Sequence, residues 1–107
     1  MNWQAIARID DVPEGNEEVL PVSIGNNHVA LVRLDGRIHA VNNVCTHQFA
    51  LLSDGIVEDG CIECPLHQAS FDVLTGERRS GPECSDLAVY PVKVEDGTVY
   101  VDLDPAS

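Results

Sequence analysis

Residues 44–67 read VCTHQFALLSDGIVEDGCIECPLH and contain two pairs of one cysteine and one histidine. The first pair is Cys45 and His47, the second is Cys64 and His67, and the 16 residues 48–63 lie between them. Thiolates and imidazoles are the side chains with which proteins bind zinc and iron–sulfur clusters. Two such pairs in turn-rich sequence are unusual for ordinary buried residues, so the stretch predicts a metal centre with these four ligands.

The mixed composition of each pair favours an iron–sulfur cluster over a zinc ion. In [2Fe–2S] centres that contain histidine, one iron takes two thiolates and the other takes two imidazoles. Two loops that each supply one thiolate and one imidazole meet that requirement. Zinc modules instead group like ligands, typically with two to four residues between cysteines and three to five between histidines. A single zinc ion held by the same four residues stays open as an alternative.

The sequence on either side of this stretch predicts short antiparallel strands. The expected strands are residues 18–24, 28–34 and 37–42 before it, and 87–95 and 98–102 after it. Asp35-Gly36 and Asp96-Gly97 are dipeptides typical of two-residue hairpin turns. The pattern predicts an all-β fold whose base is an antiparallel sandwich or barrel.

Residues 44–84 have a different character, because turn signals are dense there and the expected strands, 56–57, 61–63 and 70–73, are short. We expect a single domain over residues 1–107. Its base domain covers about 1–43 and 85–107, and a small loop-rich cluster-binding subdomain covers about 44–84. Cys61 and Cys84 are interpreted as small buried thiols, because a cysteine outside a metal site usually packs as an apolar residue.

The charge of the chain excludes several classes of partner. Its 107 residues include 18 acidic and 6 basic side chains, for a formal charge of −12. Nucleic acid and anionic membrane surfaces both require basic residues, so neither is expected as a partner. No apolar run is long enough to cross a bilayer and the N-terminus lacks a secretory pattern, which predicts a cytoplasmic protein. A strongly acidic surface suits fast docking on a basic patch of another protein.

The two ligand motifs resemble those of the Rieske family, since Cys45-Thr46-His47, the 16-residue spacer and Cys64-Pro65-Leu66-His67 all match. Over nearly its whole length the chain is similar to the ferredoxin components of bacterial aromatic-ring dioxygenase systems. Further matching segments are Ser53-Asp54-Gly55, Phe71-Asp72, Thr75-Gly76 and Tyr90-Pro91-Val92.

This resemblance implies the Rieske fold, with one [2Fe–2S] cluster bound by Cys45, His47, Cys64 and His67. It also implies a soluble one-electron carrier rather than an enzyme. The carrier would take electrons from a flavin-containing, NAD(P)H-dependent ferredoxin reductase and pass them to a terminal Rieske oxygenase. We expect it to be a monomer, with an apolar docking tip formed by Gln48, Phe49, Leu66 and Gln68 around the histidine ligands.

Departures from the high-potential members of the family predict a low reduction potential. Those members carry an extra disulfide-bonded cysteine in each cluster loop, where this chain has Ala50 and Leu66. They also donate hydroxyl hydrogen bonds to sulfur from a serine and a tyrosine, where this chain has Ala69 and Phe71. Fewer donors leave more negative charge on the sulfurs, so we expect the low end of the roughly −150 to +300 mV range of such centres. The family's proline-containing loop over the cluster corresponds to Gly81-Pro82.

Three other functions are alternatives to the electron carrier. A terminal oxygenase needs a second, mononuclear iron with two histidines and a carboxylate. Only His28 and His39 are left for it, and 107 residues leave no room for a substrate domain. The second alternative is a Rieske-like small subunit of a larger reductase complex, which an extensive apolar patch would support. The third is a zinc-stabilised interaction module.

Overall fold

The computed structural model describes residues 2–13, 19–44, 51–65, 69–80 and 86–104. These ranges contain eleven strands: β1 (Trp3–Arg8), β2 (Val19–Ile24), β3 (Asn27–Leu34), β4 (Arg37–Asn42), β5 (Ile56–Glu58), β6 (Cys61–Glu63), β7 (Ser70–Asp72), β8 (Arg78–Ser80), β9 (Val89–Tyr90), β10 (Val92–Glu95) and β11 (Thr98–Asp102). The only helical elements in these ranges are two single-turn 3₁₀ segments, Ile9–Asp11 and Leu52–Asp54. No helix in the described part of the chain is long and apolar enough to cross a membrane. The all-β prediction is confirmed.

The strands form three antiparallel sheets. The terminal sheet has the order β1-β11-β10, the central sheet β2-β3-β4-β9, and the small sheet β5-β6-β7-β8. Hairpins at Asp35-Gly36, Asp59-Gly60 and Asp96-Gly97 join neighbouring strands, and both residues of each dipeptide have positive φ. Two successive positive φ values are characteristic of the type I′ turn, whose twist matches that of the strands it connects. The two hairpins expected from sequence on either side of the metal motifs are therefore confirmed.

The expectation of one continuous strand over residues 87–95 is wrong. Pro91 divides it into β9, which pairs with β4, and β10, which pairs with β11. A proline has no backbone N–H with which to continue a ladder. Its carbonyl instead accepts a hydrogen bond of 3.0 Å from the backbone of Asp102. The chain thus crosses from the central sheet to the terminal sheet at Pro91.

Two strands were not expected from sequence. Strand β1 has few β-branched residues, and it forms because it pairs with β11. The backbone N–H of Asn2 also donates to the buried carboxylate of Asp102 at 2.7 Å, which fixes the start of β1 beside the end of β11. Strand β8 is three residues long and pairs with β7. Both strands depend on a partner elsewhere in the chain, so their own residues carry little signal.

Strand β3 is buried on both faces and makes the central sheet the middle layer. On one face it joins an apolar cluster with the terminal sheet, comprising Val12, Val29, Leu31, Ile38, Ala40, Val99 and Val101. On the other face it joins a cluster with the small sheet, comprising Ala30, Val32, Val41, Leu52, Val57, Ile62, Cys64, Ala69, Phe71, Val73 and Leu87. The second cluster contains a predicted metal ligand, so the core of the fold extends directly to the candidate site.

Candidate metal centre

Of the four predicted ligands, the structure describes Cys64. Cys45, His47 and His67 lie outside the described residues. Cys64 follows the last residue of β6 and is fully buried. Its backbone N–H donates to the carbonyl of Ala69 at 2.8 Å, so the described chain is paired on both sides of residues 66–68. In the described ranges, no group of three or more His, Cys, Asp and Glu side chains could hold a metal ion. The four-residue ligand set therefore stays a prediction.

The surroundings of Cys64 suit a metal-bound thiolate. Leu52, Ala69 and Phe71 belong to the same buried apolar cluster and have no hydroxyl groups. A thiolate in such surroundings is costly unless a positive charge compensates it, and coordination to iron supplies that charge. The residues present therefore fit a cluster ligand at this position. Ala69 and Phe71, two of the four positions at which a difference from high-potential relatives is expected, are buried in the same cluster as Cys64.

The residues on either side of the segment that contains Cys45 and His47 pair with each other. Val44 and Leu51 form a β-bridge, one residue outside each end of residues 45–50. The N–H of Val44 donates to the side-chain oxygen of Asn42 at 2.9 Å, and the N–H of Leu52 donates to the carbonyl of Asn43 at 2.7 Å. Backbone pairing thus holds the two ends of this segment together, and the Asn42 side chain fixes the backbone of Val44 at the first end.

A close backbone approach joins the residues that follow the first predicted ligand segment to the residue before Cys64. After the 3₁₀ segment Leu52–Asp54, the backbone of Gly55 passes directly over Glu63, the residue before Cys64. A Cβ atom at position 55 would overlap the carbonyl oxygen of Glu63 and lie 3.0 Å from its carbonyl carbon. Gly55 has a φ of −93°, which any residue can adopt. The need for glycine here comes from lack of space and not from backbone conformation.

Residues 81–85, which include Gly81-Pro82 and Cys84, lie outside the described residues. The described chain on either side of them is tied together. The N–H of Arg78 donates to the carboxylate of Asp86 at 3.2 Å. Arg79 donates to the Asp72 carboxylate at 2.8 Å, and this hydrogen bond lowers the pKa of Asp72. The first contact joins the chain before residues 81–85 to the chain after them, and the second joins β8 to β7.

The remaining cysteine and histidines in the described ranges do not form a ligand cluster. Burial raises the pKa of the half-buried Cys61 thiol, and the nearby Asp72 carboxylate raises it further. His28 is exposed and shares a 3.0 Å hydrogen bond with the Ser23 hydroxyl. His39 is half-buried, and its pKa is lowered by burial and by the charge of Arg37.

Known proteins resemble this chain over nearly its full length. The family model described as "Rieske [2Fe-2S] domain" matches residues 2–91. The ferredoxin component of the naphthalene 1,2-dioxygenase/salicylate 5-hydroxylase systems of Ralstonia sp. is 43% identical over 96% of this chain and 97% of its own length. The corresponding naphthalene 1,2-dioxygenase component of Pseudomonas putida is 41% identical over 96% of this chain and 97% of its own length.

Solved structures agree with these sequence relatives. The Sphingomonas yanoikuyae B1 ferredoxin superposes with a TM-score of 0.85 at 33% identity, covering 94% of this chain and 98% of that one. A chain from a complex of reduced oxygenase and oxidized ferredoxin in carbazole 1,9a-dioxygenase superposes with a TM-score of 0.80 at 32% identity, covering 92% and 100%. The fold expected from the sequence motifs is therefore the one observed.

Proposed function

The chain belongs to the Rieske [2Fe–2S] domain family, and from this membership we propose that it is the one-electron carrier of an aromatic-ring dioxygenase system. The observation that carries the proposal is the similarity to ferredoxin components over nearly the whole of both chains. Such components transfer electrons and do not themselves catalyse substrate oxidation. The family carries one [2Fe–2S] cluster, which can accept and release a single electron when bound. This favours the cluster over the zinc alternative.

The proposed ligands are Cys45 and Cys64 on one iron and His47 and His67 on the other. The buried, apolar position of Cys64 supports its role, because a metal ion would compensate its charge there. The pairing of Val44 with Leu51 supports the proposal that residues 45–50 form the other ligand segment. We also propose that residues of about 44–84 form a cluster-binding subdomain on a base of about 1–43 and 85–107. The small sheet, which lies between residues 56 and 80, supports that division.

A ligand series tests the proposed function. The purified protein should contain two irons and two sulfides per chain, and Cys45→Ser, Cys64→Ser and His67→Ala should each lose the normal cluster spectrum. Cys61→Ser is the matched control, because Cys61 lies in β6, three residues before Cys64, and is not proposed as a ligand. A normal cluster in the Cys45→Ser protein would contradict the ligand set, and stoichiometric zinc without sulfide would contradict the function.

The partners are proposed to be a flavin-containing, NAD(P)H-dependent ferredoxin reductase as electron source and a terminal Rieske oxygenase as acceptor. The carbazole 1,9a-dioxygenase structure, described as a complex of oxygenase and ferredoxin, supports the acceptor. We further propose a monomer in the cytoplasm. A Rieske-like small subunit of a larger reductase complex is the alternative, and it would require a permanent and extensive apolar contact.

We propose that two exposed apolar side chains, Leu51 and Ile56, belong to the surface that docks on the oxygenase. Leu51 is 41% exposed and directly follows residues 45–50, while Ile56 pairs across the small sheet with Glu63. The residues first expected at a docking tip, Gln48, Phe49, Leu66 and Gln68, lie outside the described residues. Leu51 and Ile56 would extend such a tip at its base.

Two matched substitutions distinguish an effect on docking from the effect of removing any exposed apolar side chain. Leu51→Ser should slow electron transfer to the cognate oxygenase about tenfold, because the docked complex would lose the burial of the leucine side chain, which contributes about 1.5 kcal/mol. Leu74→Ser is the control, since Leu74 is 61% exposed but lies in the turn between β7 and β8. Equal slowing in both variants would contradict a docking surface centred on Leu51.

A further inference from the structure

Asn43 is a buried polar residue two positions before the proposed ligand Cys45. Its relative exposure is 3%, although asparagine is usually found on protein surfaces. Burying an amide is unfavourable unless its polar atoms find hydrogen-bond partners. A buried asparagine side chain at this position is therefore expected to have hydrogen-bond partners within the protein.

The side chain of Asn43 makes a two-way clasp with Ser53. Its amide nitrogen donates to the Ser53 hydroxyl at 3.0 Å, and its amide oxygen accepts from the Ser53 backbone N–H at 2.7 Å. The backbone of Asn43 is held as well, since its N–H donates to the carbonyl of His28 at 2.8 Å and its carbonyl accepts from Leu52 at 2.7 Å. Each of its four polar atoms thus has a partner.

These bonds connect three parts of the structure. His28 lies in β3 of the central sheet, Ser53 lies in the 3₁₀ segment that follows residues 45–50, and Leu52 packs in the apolar cluster that contains Cys64. The clasp therefore joins the central sheet, the base of the first ligand segment and the core beneath the second. A rigid side-chain amide is suited to this task, because it donates and accepts at fixed positions.

We propose that Asn43 is a positioning residue which, together with Ser53, fixes the two ends of the segment that carries Cys45 and His47. The proposal rests on the ligand set given under the proposed function. In this role the clasp keeps residues 44 and 51 at a constant separation, so that the first thiolate and imidazole meet the cluster in one geometry. An ordinary buried hydrogen bond would stabilise the fold without affecting the cluster, and experiment can separate these two roles.

The experiment uses the cluster-loaded protein and three variants. Ser53→Ala removes the acceptor of the Asn43 amide nitrogen but keeps the backbone donor, so it leaves half of the clasp. Ser53→Thr keeps the hydroxyl. Val99→Ala creates a cavity in the other apolar cluster, at the terminal sheet, and serves as the control for a general loss of stability. The measurements are the electron paramagnetic resonance spectrum of the reduced protein, the rate of iron release to a chelator, and the apparent melting temperature.

We expect Ser53→Ala to release iron about fivefold faster, the equivalent of one ordinary hydrogen bond, and to show shifted or broadened resonance g-values. Ser53→Thr should release iron at a rate within about twofold of that of the unaltered protein, because it keeps the hydroxyl that accepts the hydrogen bond. Val99→Ala should melt at a lower temperature with an unchanged spectrum and release rate. A Ser53→Ala protein with an unchanged spectrum and release rate would overturn the proposal. Equal acceleration in Val99→Ala would also overturn it, because release would then follow global stability.

The Cys45→Ser variant distinguishes this result from a failure of the proposed ligands. If Cys45→Ser keeps a normal cluster, the ligand set is wrong and the positioning role falls with it. If Cys45→Ser loses the cluster but Ser53→Ala leaves it unaffected, the ligand set stands and only the clasp is rejected.

Discussion

Gly55→Ala should damage both stability and the metal centre through a single contact. An alanine Cβ would overlap the carbonyl oxygen of Glu63 and lie 3.0 Å from its carbonyl carbon. Carbon atoms ordinarily approach to about 3.5–4.0 Å, so the two backbones must separate by roughly 0.5–1 Å or more. Overpacking of side chains costs about 1–3 kcal/mol, and a rigid backbone obstacle places this substitution near 3 kcal/mol at least. For a domain of this size that lowers the melting temperature by about 12 °C or more.

The separation would also move Glu63, which directly precedes Cys64, so faster iron release should accompany the lower melting temperature. Gly60→Ala is the matched control in the same sheet. Its added Cβ meets nothing within 4 Å, and its φ of +77° costs an alanine about 1–2 kcal/mol. Circular dichroism melting and chelator assays on both variants make the comparison. A Gly55→Ala protein that melts no lower than Gly60→Ala and keeps its iron as well would refute the reasoning.

Three further predictions concern the potential, acid stability and docking. Ala69→Ser and Phe71→Tyr should each raise the reduction potential by about 40 mV in voltammetry. This shift is equivalent to about 1 kcal/mol of preference for the reduced state per added hydrogen bond. No rise would mean that the added hydroxyls do not reach a sulfur atom. The hydrogen bond from Arg79 lowers the pKa of Asp72, so this carboxylate stabilises the folded protein above its ordinary pKa near 3.8, and the contribution is lost as pH falls below that value. Asp72→Asn should therefore melt lower than the unaltered protein at pH 7, with a difference that shrinks toward pH 3; a constant difference would contradict this. Electron transfer to the oxygenase should slow as the salt concentration rises from low to physiological levels, because salt screens the charge of −12 that steers the encounter. Stopped-flow rates that do not change with salt would mean that docking depends on apolar contact alone.

The features that sequence predicted are those whose cause is local. An Asp-Gly dipeptide tolerates two successive positive φ values, so the turns at Asp35-Gly36 and Asp96-Gly97 could be placed without knowledge of the fold. The ligand set Cys45, His47, Cys64 and His67 stays a prediction, because three of these residues lie outside those that the structure describes.

The features that sequence missed depend on distant partners. Strand β1 exists because β11 lies beside it, and Pro91 marks a change of sheet only once both sheets are in place. Asn43 and Ser53 are ten residues apart and ordinary in composition, so their mutual hydrogen bonds carried no local signal. The segment Ser53-Asp54-Gly55 was noted as part of the family pattern, but the reason for its glycine is the backbone of Glu63.

The pairing of β1 with β11 has a consequence for how the chain folds during its synthesis. The two strands lie at opposite ends of the sequence, so β1 has no partner until the ribosome has made residues 98–102. The small sheet, by contrast, is built from neighbours in sequence, and such local contacts form fastest. The region proposed to carry the cluster can therefore assemble before β1 has a strand with which to pair. A chain that ends before residue 98 and has been released from the ribosome should accordingly show protection from proteolysis in the small sheet but not at Trp3–Arg8.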